Sequence, residues 1–326
     1  MYPKSQSEQI MKRDESIDTV KGLLMILVVL GHVIGSFQEY QLNIFLRNFI
    51  YMFHMPLFIF LSGYFNKIEK TKSSVITLLE TYIVFQFIYY GTNFNLFSYI
   101  LYPNWILWYI FSLMLWKIST FALKKLLNQH TFAIMTISIL LSLLVGYTGL
   151  GYTFSLSRFF VFYPFFLWGY SVKNTSIINK LKDFNHGLSA FIIVVVLLFL
   201  SRIDFDLTFI THGSHPYVNE MGIVYRIIFM FVACLLSCAM INLTKANKIL
   251  SYIGANSLVF YLYHGLLVII THHFIKLYEL PTNTFFMFLY TAIIILILYL
   301  LTKLRTLNRI IFNPITYLLQ YYRSRN

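Results

Sequence analysis

The sequence predicts an all-α, polytopic integral membrane protein: a helical bundle of about ten transmembrane helices with both termini in the cytoplasm. Three observations lead there. Of 326 residues, 58% are hydrophobic and 11% charged, with a mean hydropathy of +0.70, which is too apolar for an ordinary water-soluble domain. Apolar runs of spanning length, roughly 17 to 25 residues, recur along the whole chain with no soluble domain between them. Lysine and arginine concentrate in alternate connecting segments, as the positive-inside rule requires.

The runs fall at 17–37, 44–65, 75–92, 104–120, 131–149, 157–172, 186–203, 221–242, 250–273 and 284–302. With the N-terminus inside, all but six of the 25 basic residues lie in inner segments; the six are Lys21, Arg47, Arg158, Arg202, Arg226 and Lys276. An odd number of spans would spoil this alternation. Residues 1–16 then form a cytoplasmic N-terminal segment, 17–302 the transmembrane domain and 303–326 a basic cytoplasmic tail. The first run starts near Ile17, behind mixed charge, and is long enough to span, so it reads as a helix and not as a cleaved signal peptide. The net charge of +13 is scattered among apolar runs without a basic stripe, which argues against a nucleic-acid partner. Cys234 and Cys238, four apart on one helical side, read as packing residues.

Ionisable groups within a span are costly and serve as default site candidates. In the first span they are Asp18, Lys21 and His32. Eleven residues are close to three helical turns, so Lys21 and His32 share a face with roughly 16 Å of rise between them, and Asp18 joins it three positions earlier. Lys21, with Arg13 just before the span, would form an anion-attracting inner mouth. His32 would sit deep in the membrane, where an imidazole can transfer protons.

In the second span, RNFIYMFHMPLFIFLSGYF, Arg47 and His54 are two turns apart on one face, Pro56 frees backbone groups, and Ser62-Gly63 offers close approach to a neighbouring helix. In the sixth, SRFFVFYPFFLWGY, Arg158 stands at the outer end, against the charge bias, where it can bind a carboxylate or phosphate; Tyr163 follows on the same helix. Glu80, in the third span, is placed in the inner leaflet within reach of Lys21. His264, mid-way along the ninth, adds another imidazole to a hydrated centre. Ser62, Glu80, Tyr163 and His264 are expected to line that cavity. His212 and His215 lie in an outer loop where surface roles suffice, and no constellation with metal-ligand spacing joins them, so no metal site is expected.

Five stretches in order resemble the membrane-bound acyltransferase family three, and within it the fucose 4-O-acetylase-like O-acetyltransferases: RDESIDTVKGLLMILVVLGH, FHMPLFIFLSGYF, LWYIFSLMLW, SRFFVFYPFFLWGY and IGANSLVFYLYHG. The resemblance covers nearly the whole chain. It implies transfer of an acyl group, usually acetyl from cytosolic acetyl-CoA, to a hydroxyl of an envelope or capsular glycan or its lipid-linked precursor. It also implies that His32 is the catalytic histidine and that Lys21 assists at the donor side. The third span, SSVITLLETYIVFQ, departs from the family in lacking a proline and clustered arginines.

The two readings meet on one scheme. Lys21, Arg13 and Asp18 form the donor end, and His32 is general base or acyl carrier. Arg47, His54 and Arg158 orient the acceptor or stabilise the oxyanion. One water-accessible shaft would connect Lys21 to His32. Expected partners are acyl-CoA, a glycan or lipid-linked sugar and membrane lipids, in a multi-pass protein of the bacterial cytoplasmic membrane. A glycan exporter or flippase with a polar central cavity is the alternative.

Overall fold

The computed structural model describes residues 14–35, 37, 39–91, 99 and 102–323, the last five as backbone alone; Arg13 lies outside the described residues. Among them every regular element is helical. The long helices are α1 (Glu15–Ile34), α2 (Gln41–Tyr64), α3 (Thr71–Tyr90), α4 (Trp108–Ala122), α5 (Lys124–Leu144) and α6 (Leu156–Val172). After the short α7 (Ile177–Lys182) come α8 (His186–Leu200), the single turn α9 (Thr208–Thr211), α10 (Gly222–Leu243), α11 (Lys248–Ala255), α12 (Ser257–Leu277) and α13 (Thr284–Leu301). The chain closes with α14 (Arg305–Phe312) and α15 (Pro314–Arg323).

Among the described residues seven helices are long and apolar enough to cross a membrane: α1, α2, α4 with the tight turn before it, α5 with the turn after it, α10, α12 and α13. The protein is an all-α polytopic membrane bundle. The outermost helices turn Phe132, Phe191, Leu198, Phe231 and Phe285 outward, as a hydrocarbon solvent permits. The share of each spanning window that is buried ranks the helices, with 72% for α1 and 67% for α2 against 22% for α5 and α13. The two central helices are therefore those that carry most of the candidate site residues.

The ninth apolar run is not one helix. α11 ends at Asn256, whose backbone (φ −106°, ψ 20°) turns its N–H back to the carbonyls of Tyr252, Ile253 and Gly254, and α12 starts at Ser257. α11 lies across α1, held by reciprocal glycines: a Cβ on Gly254 would sit 1.9 Å from the Asp18 carbonyl oxygen, and one on Gly22 1.9 Å from that of Leu250. Such distances leave no room for any side chain, so backbone meets backbone. A second pair joins α2 to α6, where a Cβ on Gly63 would lie 2.0 Å from the Phe166 oxygen and one on Gly169 1.9 Å from that of Phe60.

α5 breaks its helical backbone at His130 (φ −134°, ψ 39°), so its straight part begins close to where the apolar run starts. α14 and α15 fold back on α3. The Glu80 carboxylate accepts from the Thr316 N–H at 3.1 Å and from its hydroxyl at 2.7 Å, and the Thr81 hydroxyl donates to the Phe312 carbonyl at 2.9 Å.

Candidate active site

Two cavities follow the inner face of α1. The deeper one, about 70 Å³, is lined by His32 and Val28 from α1; Tyr51, His54 and Met55 from α2; Trp105, Ile106 and Trp108 before and at the start of α4; Arg158 and Phe162 from α6; Thr211 and His212; and Tyr261 from α12. The second, about 250 Å³, is lined by Lys21, Ser62, Phe65, Tyr109, Ser257 and again Tyr261, with apolar side chains between them. Lys21 and His32 thus both face cavities and not lipid. The single open shaft expected between them is instead two chambers with Tyr261 in their common wall. The Tyr261 hydroxyl donates to the Ile106 carbonyl, and its ring meets Tyr109 edge-on at 5.2 Å. Aromatic bulk at the crossing point, invisible to helical spacing, closes the shaft.

His32 is surrounded by rings: Trp105 at 5.0 Å, His264 at 5.3 Å and Tyr51 at 6.3 Å between centroids. His54 donates from Nδ1 to the Ile50 carbonyl at 2.8 Å, which fixes its tautomer and leaves Nε2 bare. Tyr51 donates to the Gly31 carbonyl at 3.2 Å and lies 5.3 Å from His212.

Arg158 is 9% exposed. Its Nε donates to the His212 carbonyl at 3.1 Å, and its guanidinium carbon lies over the rings of Trp108 at 4.9 Å and Tyr152 at 5.0 Å. Among the described residues no carboxylate pairs with it, so the chamber holds an uncompensated positive charge whose Nη groups remain available to an anion.

The other candidates divide. Lys21 pairs with Asp18 at 2.8 Å and lies over the Phe65 ring at 5.1 Å. Ser62 shares a 2.6 Å hydrogen bond with the Tyr109 hydroxyl on the wall of the lower cavity. Arg47 does not reach the chamber: it donates to Asp206 at 2.9 Å and stands behind Tyr51, 5.3 Å from its ring. The loop that supplies Asp206 could not be placed from spacing, and its charge captures the arginine. Glu80 does not meet Lys21, because Thr316 occupies it. Tyr163 does not line the chamber either; it is buried between Phe159 and Phe166 and hydrogen bonds Thr120 at 3.2 Å. His264 is fully buried behind His32 and not on the cavity wall.

Sequence reasoning missed His212, whose loop folds inward over the N-terminal end of α2. Burial, then the positive charges of Arg158 and Arg47, push its pKa down to about 3, so it is neutral at physiological pH. Nothing in an isolated loop histidine signals this. Tyr261 carried a usable signal, three residues before His264 on one helix face. The described residues contain no group of three or more His, Cys, Asp or Glu side chains placed to hold a metal ion.

Beyond Phe65 and Leu78, which also line the lower cavity, a third hollow of about 380 Å³ is edged by Lys67, Lys70 and Lys117. Three depressions in series thus run from a lysine-rich end of the bundle to the histidine chamber, and residues 14–303, which hold all of them, match the family described as Acyltransferase domain. The chain belongs to that acyltransferase family. It is also 47% identical over 57 residues to Nodulation protein NolL of Sinorhizobium fredii (strain NBRC 101917 / NGR234), a match that covers 16% of this chain and 15% of that protein. No solved structure matches. The cavities described above all lie within the part of the chain that matches the family.

Proposed function

We propose that the protein is a membrane O-acyltransferase. It takes an acyl group, acetyl in the simplest case, from cytosolic acyl-CoA and passes it to a hydroxyl of an envelope or capsular glycan or its lipid-linked precursor. The observation that carries this reading is the pairing of His32 with an unneutralised Arg158 on one small buried chamber, separated by one tyrosine from a larger cavity that holds Lys21.

Coenzyme A is polyanionic, and Lys67, Lys70 and Lys117 around the outermost hollow offer charge-assisted hydrogen bonds to its phosphates. The pantetheine arm would follow the lower cavity past Lys21, and displacement of the Tyr261 ring would admit the thioester. His32 then takes the proton of the acceptor hydroxyl as its oxygen attacks the thioester carbonyl. The Arg158 Nη groups hold the tetrahedral oxyanion. The carbon–sulfur bond breaks, the CoA thiolate leaves, and His32 returns the proton to it.

The same reading puts the lysine-rich end in the cytoplasm, with residues 1–16 and 303–326. Two contacts support this by tying both chain ends to the lysine-rich end of the bundle: Lys182 reaches Asp14 at 2.6 Å, and Glu80 holds Thr316.

The test is transfer of label from radioactive acetyl-CoA to isolated surface glycan in proteoliposomes. Wild-type protein should acetylate the glycan, and His32→Ala should abolish this while inserting normally. Wild-type labelling by His32→Ala would remove His32 from the chemistry. Movement of unmodified glycan across the vesicle, with all label left in solution, would make the protein an exporter.

A further inference from the structure

His264 is fully buried, and its two ring nitrogens differ sharply. Nδ1 donates to the Tyr261 carbonyl at 2.6 Å, with the Phe260 carbonyl at 3.2 Å. Carbonyl oxygens only accept, so Nδ1 carries the proton and Nε2 is a bare lone pair. That Nε2 has no hydrogen-bond partner, an uncommon condition for a buried polar atom. Two rings lie against His264: His32 at 5.3 Å and Tyr261 at 5.7 Å. The Tyr261 hydroxyl is committed to the Ile106 carbonyl, so it has no proton to offer. His32 has: among the described residues no hydrogen bond occupies either of its ring nitrogens. A linear N–H···N bond of about 3 Å between two imidazoles puts their centres roughly 5 Å apart, and the observed separation matches. As the rings stand no hydrogen bond joins them, and the bond requires a turn of the His32 ring about its side-chain torsions.

We propose that His264 is the positioning residue for His32: its Nε2 accepts the N–H of His32 and so fixes which His32 nitrogen stays bare toward the acceptor hydroxyl. This rests on the reading of His32 as the base. A neutral imidazole suits the task inside a bilayer, because a carboxylate in the same place would bring a buried charge that hydrocarbon penalises heavily. When His32 accepts the substrate proton, the His264 lone pair faces the new imidazolium and stabilises it without net charge in the resting state. His54 is the contrast, since its bare Nε2 belongs to a side chain on the chamber wall, where substrate can reach it.

Two substitutions separate a positioning role from simple packing. His264→Leu fills the volume without an acceptor, whereas His264→Gln restores a carbonyl oxygen able to take the His32 proton. His264→Leu should lower kcat by about 10²-fold or more with the KM for acetyl-CoA unchanged, and His264→Gln should recover at least about a tenfold part of that loss. Nitrogen-15 spectra of histidine-labelled protein, with the His32 signal identified by its disappearance in His32→Gln, should show one His32 tautomer in the wild type and a mixture in His264→Leu. Equal rates for the Leu and Gln variants, or the same His32 tautomer in wild type and His264→Leu, would overturn the proposal. The spectrum needs no turnover, so it judges His264 even if His32→Ala proves active and the base assignment itself fails.

Discussion

Arg158 gives the sharpest forecast for the chemistry. Its Nε is spent on the His212 carbonyl and its guanidinium packs on Trp108 and Tyr152, so the Nη groups are the donors left for a reacting atom. Removing one preorganised oxyanion donor typically costs about 3 kcal/mol, or 10² to 10³ in kcat. The two cation–π contacts are a separate quantity, worth about 0.5 to 2 kcal/mol each, and they act on stability. Arg158→Met should therefore lower kcat by about 10²-fold or more, with a modest fall in the thermal midpoint. Arg158→Lys keeps a point charge but loses the planar fork, and should fall between wild type and Met. The assay is steady-state acetyl transfer in proteoliposomes, with both substrates varied and the folded fraction measured by size exclusion in detergent. A wild-type kcat for Arg158→Met, or a loss that vanishes after correction for folded protein, would refute the oxyanion role. A loss confined to the KM for the glycan would make Arg158 an acceptor anchor instead.

Lys21→Ala should raise the KM for acetyl-CoA by about tenfold, the scale of one charge-assisted hydrogen bond, and Lys21→Arg should do less; an unchanged KM in the Ala variant counts against the donor role. Gly63→Ala pushes a Cβ to 2.0 Å from the Phe166 oxygen and must part α2 from α6, so overpacking should cost about 1 to 3 kcal/mol of stability, read as a lower thermal midpoint in detergent; an unaltered midpoint would show that the helices slide freely. His212 has a folded-state pKa of about 3, below its unfolded value of about 6.5. Only the unfolded chain gains this proton as pH falls through 6.5, so that much stability is present above pH 6.5 and is lost below it, at up to about 1.4 kcal/mol per pH unit. His212→Gln should flatten the drop in thermal midpoint between pH 7 and pH 5, and parallel pH slopes for the two proteins would sink the assignment.

The candidate residues of α1 that spacing turns toward a cavity lie on a single helix whose neighbours are already crowded. Lys21 and His32 are an example: three turns of α1 set their common face, and α1 is buried nearly all round, so that face could only look into the protein. Arg47 and His54 obey the same periodicity and still part company, because Asp206 arrives from a loop about 160 residues later in the chain and neutralises the arginine. Glu80 shows the same limit, since its partner Thr316 comes from the chain's other end. The ninth run read as one span because apolar content continues through Asn256, and only the crossing of α11 over α1 shows why the helix must stop there.

By itself the sequence determined the membrane class, the helical content, the lysine-rich end and the face of α1 that carries Lys21 and His32. All of these follow from local composition and a 3.6-residue period, which neighbouring residues fix without reference to the rest of the chain. Tertiary structure decided which charges are left unneutralised, which imidazoles meet, that His212 turns inward and that Tyr261 divides the path in two. Those outcomes depend on where distant segments cross, and electrostatic pairing and aromatic packing act through space, with no regard for separation along the chain.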